Sequence, residues 1–208
     1  NAHKLATMVK MSNELIHDNV VNIESYIAEK VAQAFAVTEA LAFYSGDGTG
    51  KPLGFSTATL PAANIATTVT TLKVEFKDLV ALYNSLLPIH AENATFVVSR
   101  AMFTLLMGLE DSQKRPLMFQ DIQNGGVYKI FGRPVVVEPN ITNTVTVGTP
   151  LAYFGDWKRF YQIIDREGMS IRQSGERFIE NDVTAVVCTK RTDAKIMDVQ
   201  AMAKLISK

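Results

Sequence analysis

The stretch from Ser12 to Phe55 constrains this chain more than any other, because it joins a long helical repeat to an abrupt stop. Apolar residues at Ile16, Val20, Ile23, Ile27, Val31, Phe35 and Leu41 run against Asp18, Asn22, Ser25, Glu29 and Gln33 on the opposite face, the three-and-four spacing of an amphipathic helix. Ser12 is placed to cap its start, with Glu14 in the first turn against the positive end of the dipole. Asp18 and Asn19 favour caps over helix interiors, so the pattern allows a short leading helix that ends there and a main helix beginning at Val20. The residues from there to Tyr44 span about 40 Å at the helical rise. Ser45-Gly46-Asp47-Gly48-Thr49-Gly50-Lys51-Pro52-Leu53-Gly54-Phe55 then forbids continuation. A helix of that length crosses a domain from edge to edge, and the other elements must pack along it.

The rest of the chain supplies those elements. Leu5, Thr7, Val9 and Met11 alternate against Lys4 and Lys10, which predicts a strand before the helix. Ser56 to Thr71 reads as exposed loop with one edge strand. Phe76, Leu79, Val80, Tyr83, Leu86 and Leu87 predict a helix from Val74 to Leu87 that Pro88 ends. Thr95 to Val98 is a short buried strand, and Ser99 caps a helix carrying Met102, Phe103, Leu105, Leu106 and Leu109. Glu110 to Gly126 reads as surface loop, and Val127 to Phe131 and Val135 to Val137 as strands around a bend or sheet edge at Pro134. Asn140 to Pro150 is threonine-rich loop, and Leu151 to Phe154 is a strand. From Phe160 the pattern turns to strands at Phe160 to Asp165, Ser170 to Arg172, Phe178 to Lys190 and Lys195 to Ile206, with Gly168 and Gly175 marking turns. The class is therefore α+β, with the long helix early and antiparallel strands late. The two ends meet only if the middle forms a separate lobe.

Composition narrows the function. A chain of 208 residues with 47% hydrophobic content buries its own core. Lys plus Arg and Asp plus Glu both number 21, so no whole-protein field announces a nucleic-acid or polybasic membrane binder, and any DNA contact is local and weak. The single Cys188 lies in the apolar run Val183 to Cys188 and reads as a buried structural thiol. The absence of a long apolar run or a signal peptide implies a soluble protein made in a reducing cytosol. The start at Asn1 without Met implies a processed product, a fragment or an ordered part.

Catalytic and cofactor readings fail one by one. A phosphate loop needs four residues between its first Gly and the Gly-Lys, then a helix; here three residues intervene, Pro52 follows Lys51, and the helix comes first. Gly46, Asp47, Gly48, Gly50 and Pro52 are read instead as a structural turn, with Gly46 supplying the positive φ that ends the helix. His3, His17 and His90 lie apart with no ligand spacing, so no metal or other cofactor is expected. No nucleophile elbow is present, and Glu110-Asp111 and Asp165 with Glu167 read as solvated turn charges. Trp157-Lys158-Arg159-Phe160-Tyr161 interleaves bases and aromatics as single-strand binders do, but a half-buried strand is the preferred reading.

Ser12-Asn13-Glu14-Leu15 heads the helix and Gly46-Asp47-Gly48-Thr49-Gly50 closes it. Phe131-Gly132-Arg133-Pro134-Val135-Val136, Phe154-Gly155-Asp156-Trp157, and Arg166-Glu167-Gly168 with Lys190-Arg191-Thr192-Asp193 follow in order. Together these motifs resemble the major capsid proteins of tailed bacteriophages. The resemblance implies a peripheral domain, residues 1–45 with 161–195, that combines the long helix and the late sheet, and an inserted axial domain, residues 46–160 with 196–208. It implies a structural protein that assembles with itself into pentamers and hexamers of an icosahedral shell around double-stranded DNA. Its partners would be its own copies, the packaged DNA through weak non-specific contacts, and a scaffolding protein, with no membrane; its place would be the virion, with assembly in the host cytoplasm. Some relatives weld their shells by a lysine–asparagine isopeptide bond with a glutamate as base; aligned on Phe178, Asn181 matches the asparagine but Thr189 stands at the glutamate, so no cross-link is expected. The family's N-terminal arm and extended loop are not found before Leu5, and the chain as given is expected to fold yet remain monomers or small oligomers. Two alternatives stand beside this reading: an encapsulin-like compartment shell, and a small α/β enzyme using the Gly46–Lys51 loop for a phosphate substrate, whose mark would be a convergent polar pocket around Lys51.

Overall fold

Alternation along the first strand carries directly into its environment. In β1 (His3–Ser12) the odd residues turn inward and the even ones outward. The computed structural model describes residues 2–14, 23–68, 74–109, 119–121, 127–144 and 146–208, without the side chains at positions 24, 119–121 and 127. The expected helix break at Asp18-Asn19, the apolar positions Ile16 and Val20, His17, and Glu110-Asp111 lie outside the described residues.

β1 pairs antiparallel with β9 (Val183–Ile196), from His3↔Thr192 to Ser12↔Val183, and β9 lies between β1 and β8 (Tyr161–Ser174). Against this three-stranded sheet packs α1 (Ile23–Ser45), whose Val31 and Phe35 join Met11, Val186 and Cys188 in one buried cluster, flanked by Leu5, Val9, Ile23 and Ile27. The expected apolar stripe holds as far as Phe35. Leu41, 52% exposed, has left it, because six residues at 3.6 per turn carry a side chain well off the line of Phe35. The position that stays on the line is Glu39, one turn beyond Phe35, and it is buried. Ser12 ends β1, and Asn13 and Glu14 turn into helix.

A seven-stranded mixed sheet forms elsewhere, in the order β2-β10-β7-β3-β6-β5-β4. Its strands are β2 (Ile65–Thr67), β3 (Thr95–Val98), β4 (Phe119–Asp121), β5 (Val127–Ile130), β6 (Arg133–Val137), β7 (Pro150–Gly155) and β10 (Met202–Ile206). The β10–β2 and β3–β6 pairs are parallel and the others antiparallel. Leu79 and Leu82 of α2 (Phe76–Asn84) and Met102 and Leu106 of α4 (Arg100–Met107) bury against Phe96, Val98, Phe154 and Leu205. The Ser99 hydroxyl caps α4 as expected, accepting from the Met102 amide at 3.1 Å. α2 is shorter than its apolar stripe predicts, since Pro88 opens a separate turn, α3 (Pro88–Ala91). At the β5–β6 turn Phe131 and Gly132 both take positive φ, 51° and 74°, as a type I′ hairpin requires. Phe131 is held there by the rings of Phe76 at 5.6 Å and Tyr83 at 5.4 Å. Pro134 lies within β6 but ahead of its ladder with β3, which begins at Phe96↔Val135.

Three sequence expectations are corrected. Trp157 to Phe160 is not strand but a helical turn, α5 (Trp157–Phe160), because the Asp156 carboxylate accepts from the amides of Lys158 at 3.2 Å and Arg159 at 3.4 Å. Gly168 marks no turn; it lies inside the continuous strand β8, where a Cβ would meet nothing within 4 Å. Lys195 to Ile206 is not one strand, since the Val199–Ala201 turn, capped by Asp198, separates β9 from β10.

The chain divides into two compact units, Asn1–Thr57 with Ile163–Lys195, and Ala58–Gln162 with Ile196–Lys208; the glycine loop clusters with the first.

Candidate functional site

The glycine loop follows the carbonyl end of α1. Gly46 N–H donates to Ala42 C=O at 2.8 Å, and Gly54 N–H to Gly46 C=O at 2.8 Å, which closes the loop on itself with a further bridge between Asp47 and Leu53. Gly48 and Gly50 take positive φ, 78° and 72°. Gly46 does not, and the expectation that it ends the helix by a left-handed turn is corrected: glycine is needed there because a Cβ would run into the backbone oxygens of Pro52 and Ala42. Asp47 Oδ1 accepts from the Thr49 amide at 2.9 Å, and Lys51 Nζ lies 3.9 Å from Asp47 Oδ2. The loop sits at the negative end of a helix dipole with its lysine beside a carboxylate, which disfavours phosphate; Lys51 does line a cavity of about 310 Å³, with Lys4, His3 and the carboxylate of Glu39 also on its wall.

Beside it lies a group that the apolar pattern did not single out. Lys190 Nζ, on β9, donates to Glu39 Oε2 at 2.8 Å and approaches Asp165 Oδ2 at 3.7 Å. Burial pulls the Lys190 ammonium down, but its hydrogen bond to Glu39 and the charges of Glu39 and Asp165 outweigh that, and its pKa is raised. Spacing could have pointed to Glu39: it falls on the buried stripe of α1 one turn after Phe35, where an unpaired carboxylate is not tolerated.

The remaining candidates are dispersed. Asn181 is exposed in the turn ahead of β9, while the Thr189 hydroxyl is engaged with Ser170 Oγ at 2.8 Å. Cys188 is buried, and burial pushes its thiol pKa up. His3 lies 3.8 Å from Asp193 and His90 3.9 Å from Asp198. Among the described residues no group of three His, Cys, Asp or Glu could hold a metal, and no helix is long and apolar enough to cross a membrane. The Trp157 indole donates to the Thr95 carbonyl at 3.2 Å, and Arg159 pairs with Asp156 at 3.5 Å, so the basic–aromatic run is tied into its own lobe.

What is prominent instead is exposed apolar surface. In the first unit, β8 is an edge strand with Ile163, Ile164, Met169 and Ile171 in solvent, and Ile179 at the β8–β9 tip is 75% exposed. Between β1 and α1 runs an open trench of about 680 Å³.

The Phage capsid family model matches residues 1–206. The chain belongs to the phage capsid family. No curated protein matches it. Among solved structures, it is similar to the capsid protein of a native GTA particle determined with C5 symmetry, at 25% identity and a TM-score of 0.89, over 99% of this chain and 72% of that one. It shares its fold with a chain of Mycobacterium phage Bobi, at 16% identity and a TM-score of 0.65, over 100% and 72% of the two chains. The SrpI encapsulin of Synechococcus elongatus PCC 7942 matches at 12% identity and a TM-score of 0.67, over 99% and 73%. As a member of this family the chain is a shell protein that associates with its own copies, a structural component of a virion.

Proposed function

We propose that this protein is the major capsid subunit of a tailed phage or prophage, building pentamers and hexamers of an icosahedral shell around double-stranded DNA. The observation that carries the reading is the family match along residues 1–206 together with the close likeness to a capsid chain in a five-fold particle. The first unit, with the long helix and three-stranded sheet, acts as the peripheral domain, and the second as the axial domain that packs around the capsomer axis. DNA is held by weak, non-specific contact, in keeping with a chain of no net charge. Assembly takes place in the host cytoplasm, with a scaffolding protein as a further partner. The glycine turn and Asn181 have structural roles, and no isopeptide bond forms.

Electron microscopy of the full-length protein, expressed and purified, tests the reading. Closed shells with five-fold vertices and nuclease-protected DNA in the native particles are expected. Shells filled with a protein cargo and no DNA would favour the encapsulin-like alternative, and no shells at all would overturn the proposal.

A further inference from the structure

The hairpin tip between β8 and β9 displays its most exposed apolar side chain on a braced loop. Ile179, 75% exposed, lies in a turn whose end is fixed by Asn13: its backbone N–H donates to Asp182 C=O at 3.0 Å, and its side-chain amide to Asp182 Oδ1 at 2.5 Å. Lys10 Nζ stands 4.1 Å over the neighbouring Phe178 ring. A knob held this way loses little freedom on docking. The tip carries Glu176, Glu180 and Asp182 against Arg177 and Lys10, and both cations stand over the Phe178 ring, at 5.6 and 4.1 Å. Among the described residues, no cation pairs with Glu180.

The trench between β1 and α1 has the opposite character. Leu5, Val9, Ile27, Val31 and Ala34 line it, and its charged lining residues are Lys4 and Lys30, with no carboxylate. Lys30 reaches only the Tyr26 ring, at 5.5 Å, and Gln33 Oε1, at 3.5 Å, and no carboxylate among the described residues pairs with it. At about 680 Å³ the trench has room for an isoleucine side chain with chain on either side of it.

We propose that the Ile179 tip of one copy seats in the β1–α1 trench of a second copy, with Glu180 beside Lys30. The inference rests on the self-assembly reading above and names one contact that would serve it. Apolar knob meets apolar trench and Glu180 meets Lys30, while two lysine-lined trenches would repel each other. Tip and trench are different surfaces of the same unit, so the contact is head-to-tail and propagates into a ring or lattice instead of stopping at a dimer. Each such contact is small, which suits a shell whose stability comes from many repeated weak joints.

The test uses the full-length protein. Ala34→Cys with Ile179→Cys puts one thiol in the trench and one on the knob, while native Cys188 is buried and stays out of exchange. Oxidised particles of the double variant should run as disulfide-linked multimers on a non-reducing gel. Ile179→Arg and Lys30→Glu should each weaken association on the order of tenfold per contact, with unchanged circular dichroism and melting. Glu180→Lys combined with Lys30→Glu should recover particle yield. Particles from Ile179→Arg at the wild-type yield, or a double-cysteine particle that runs as single chains, would overturn the contact while leaving the shell reading intact. Failure of the wild type itself to assemble would overturn the shell reading, and the contact with it.

Discussion

Gly46 and Gly54 stand backbone to backbone: the Gly54 amide donates to the Gly46 carbonyl at 2.8 Å, and a Cβ on Gly54 would meet the Tyr44 carbonyl at 2.5 Å and the Ser45 nitrogen at 2.7 Å. The stop after α1 is thus a clasp between two chain segments, and the glycines serve two different needs. Gly46 and Gly54 make room for backbone, whereas Gly48 and Gly50 turn it through positive φ.

Gly46→Ala and Gly54→Ala should each destabilise the subunit by about 3 kcal/mol or more, because the obstacle is backbone that cannot rotate away. Gly50→Ala, in open space at φ 72°, should cost about 1 kcal/mol through backbone conformation alone. Urea unfolding of the three variants measures the order; equal losses at all positions would refute the distinction.

Nucleotides should leave the protein unmoved. Millimolar ATP or NAD is expected to produce no change in melting temperature, and Lys51→Ala none in the response to ligand. An upward shift that Lys51→Ala abolishes would restore the phosphate-loop reading.

Lys190→Met should destabilise by about 3 kcal/mol, because it leaves the buried Glu39 carboxylate without its partner, and adding Glu39→Leu should recover most of the loss. The sign of the pH effect follows from the raised pKa of Lys190. The pair's stabilisation is fully present below the ordinary lysine pKa and is lost as pH rises through the higher folded value, so melts should fall in strongly alkaline solution more steeply for the wild type than for the double variant.

Boiled particles should run as single chains on a denaturing gel. The Thr189 hydroxyl, hydrogen-bonded to Ser170, cannot take a lysine proton near neutral pH, so an isopeptide bond to Asn181 is not expected. A ladder of covalent oligomers would refute this.

The thiol of Cys188 should react with a colorimetric disulfide reagent only when the chain unfolds, since it is buried and its pKa is raised by burial. Rapid reaction of one thiol per native chain would place it elsewhere.

Elements set by local periodicity were legible in the sequence, and those set by distant backbone were not. Ile23, Ile27, Val31 and Phe35 declared their helix face, Leu5 to Met11 their strand, and Ser99 its cap, because each depends on neighbours within a few residues. The reason for Gly46 was invisible: it lies in the Pro52 oxygen across the loop. Gly168 was misread because an edge strand asks little of each residue beyond an extended backbone, which glycine also adopts. Trp157 to Phe160 shows the reverse failure, where a single capping carboxylate at Asp156 overrode an aromatic run that suits strands. Glu39 was overlooked since apolar patterns register only apolar residues, and its partner lies 151 positions further on. The Ile179 tip left no signal beyond one isoleucine among charges.

Strand order also has a consequence in time. β1 finds its partner in β9, and β2 and β7 are joined only through β10. A ribosome that has made everything up to Gln162 has therefore released no finished sheet in either unit, and residues emerging in between wait with unpaired edges. Closing loops of this span is slow, so neither sheet is expected to be complete until β9 and β10 have been made.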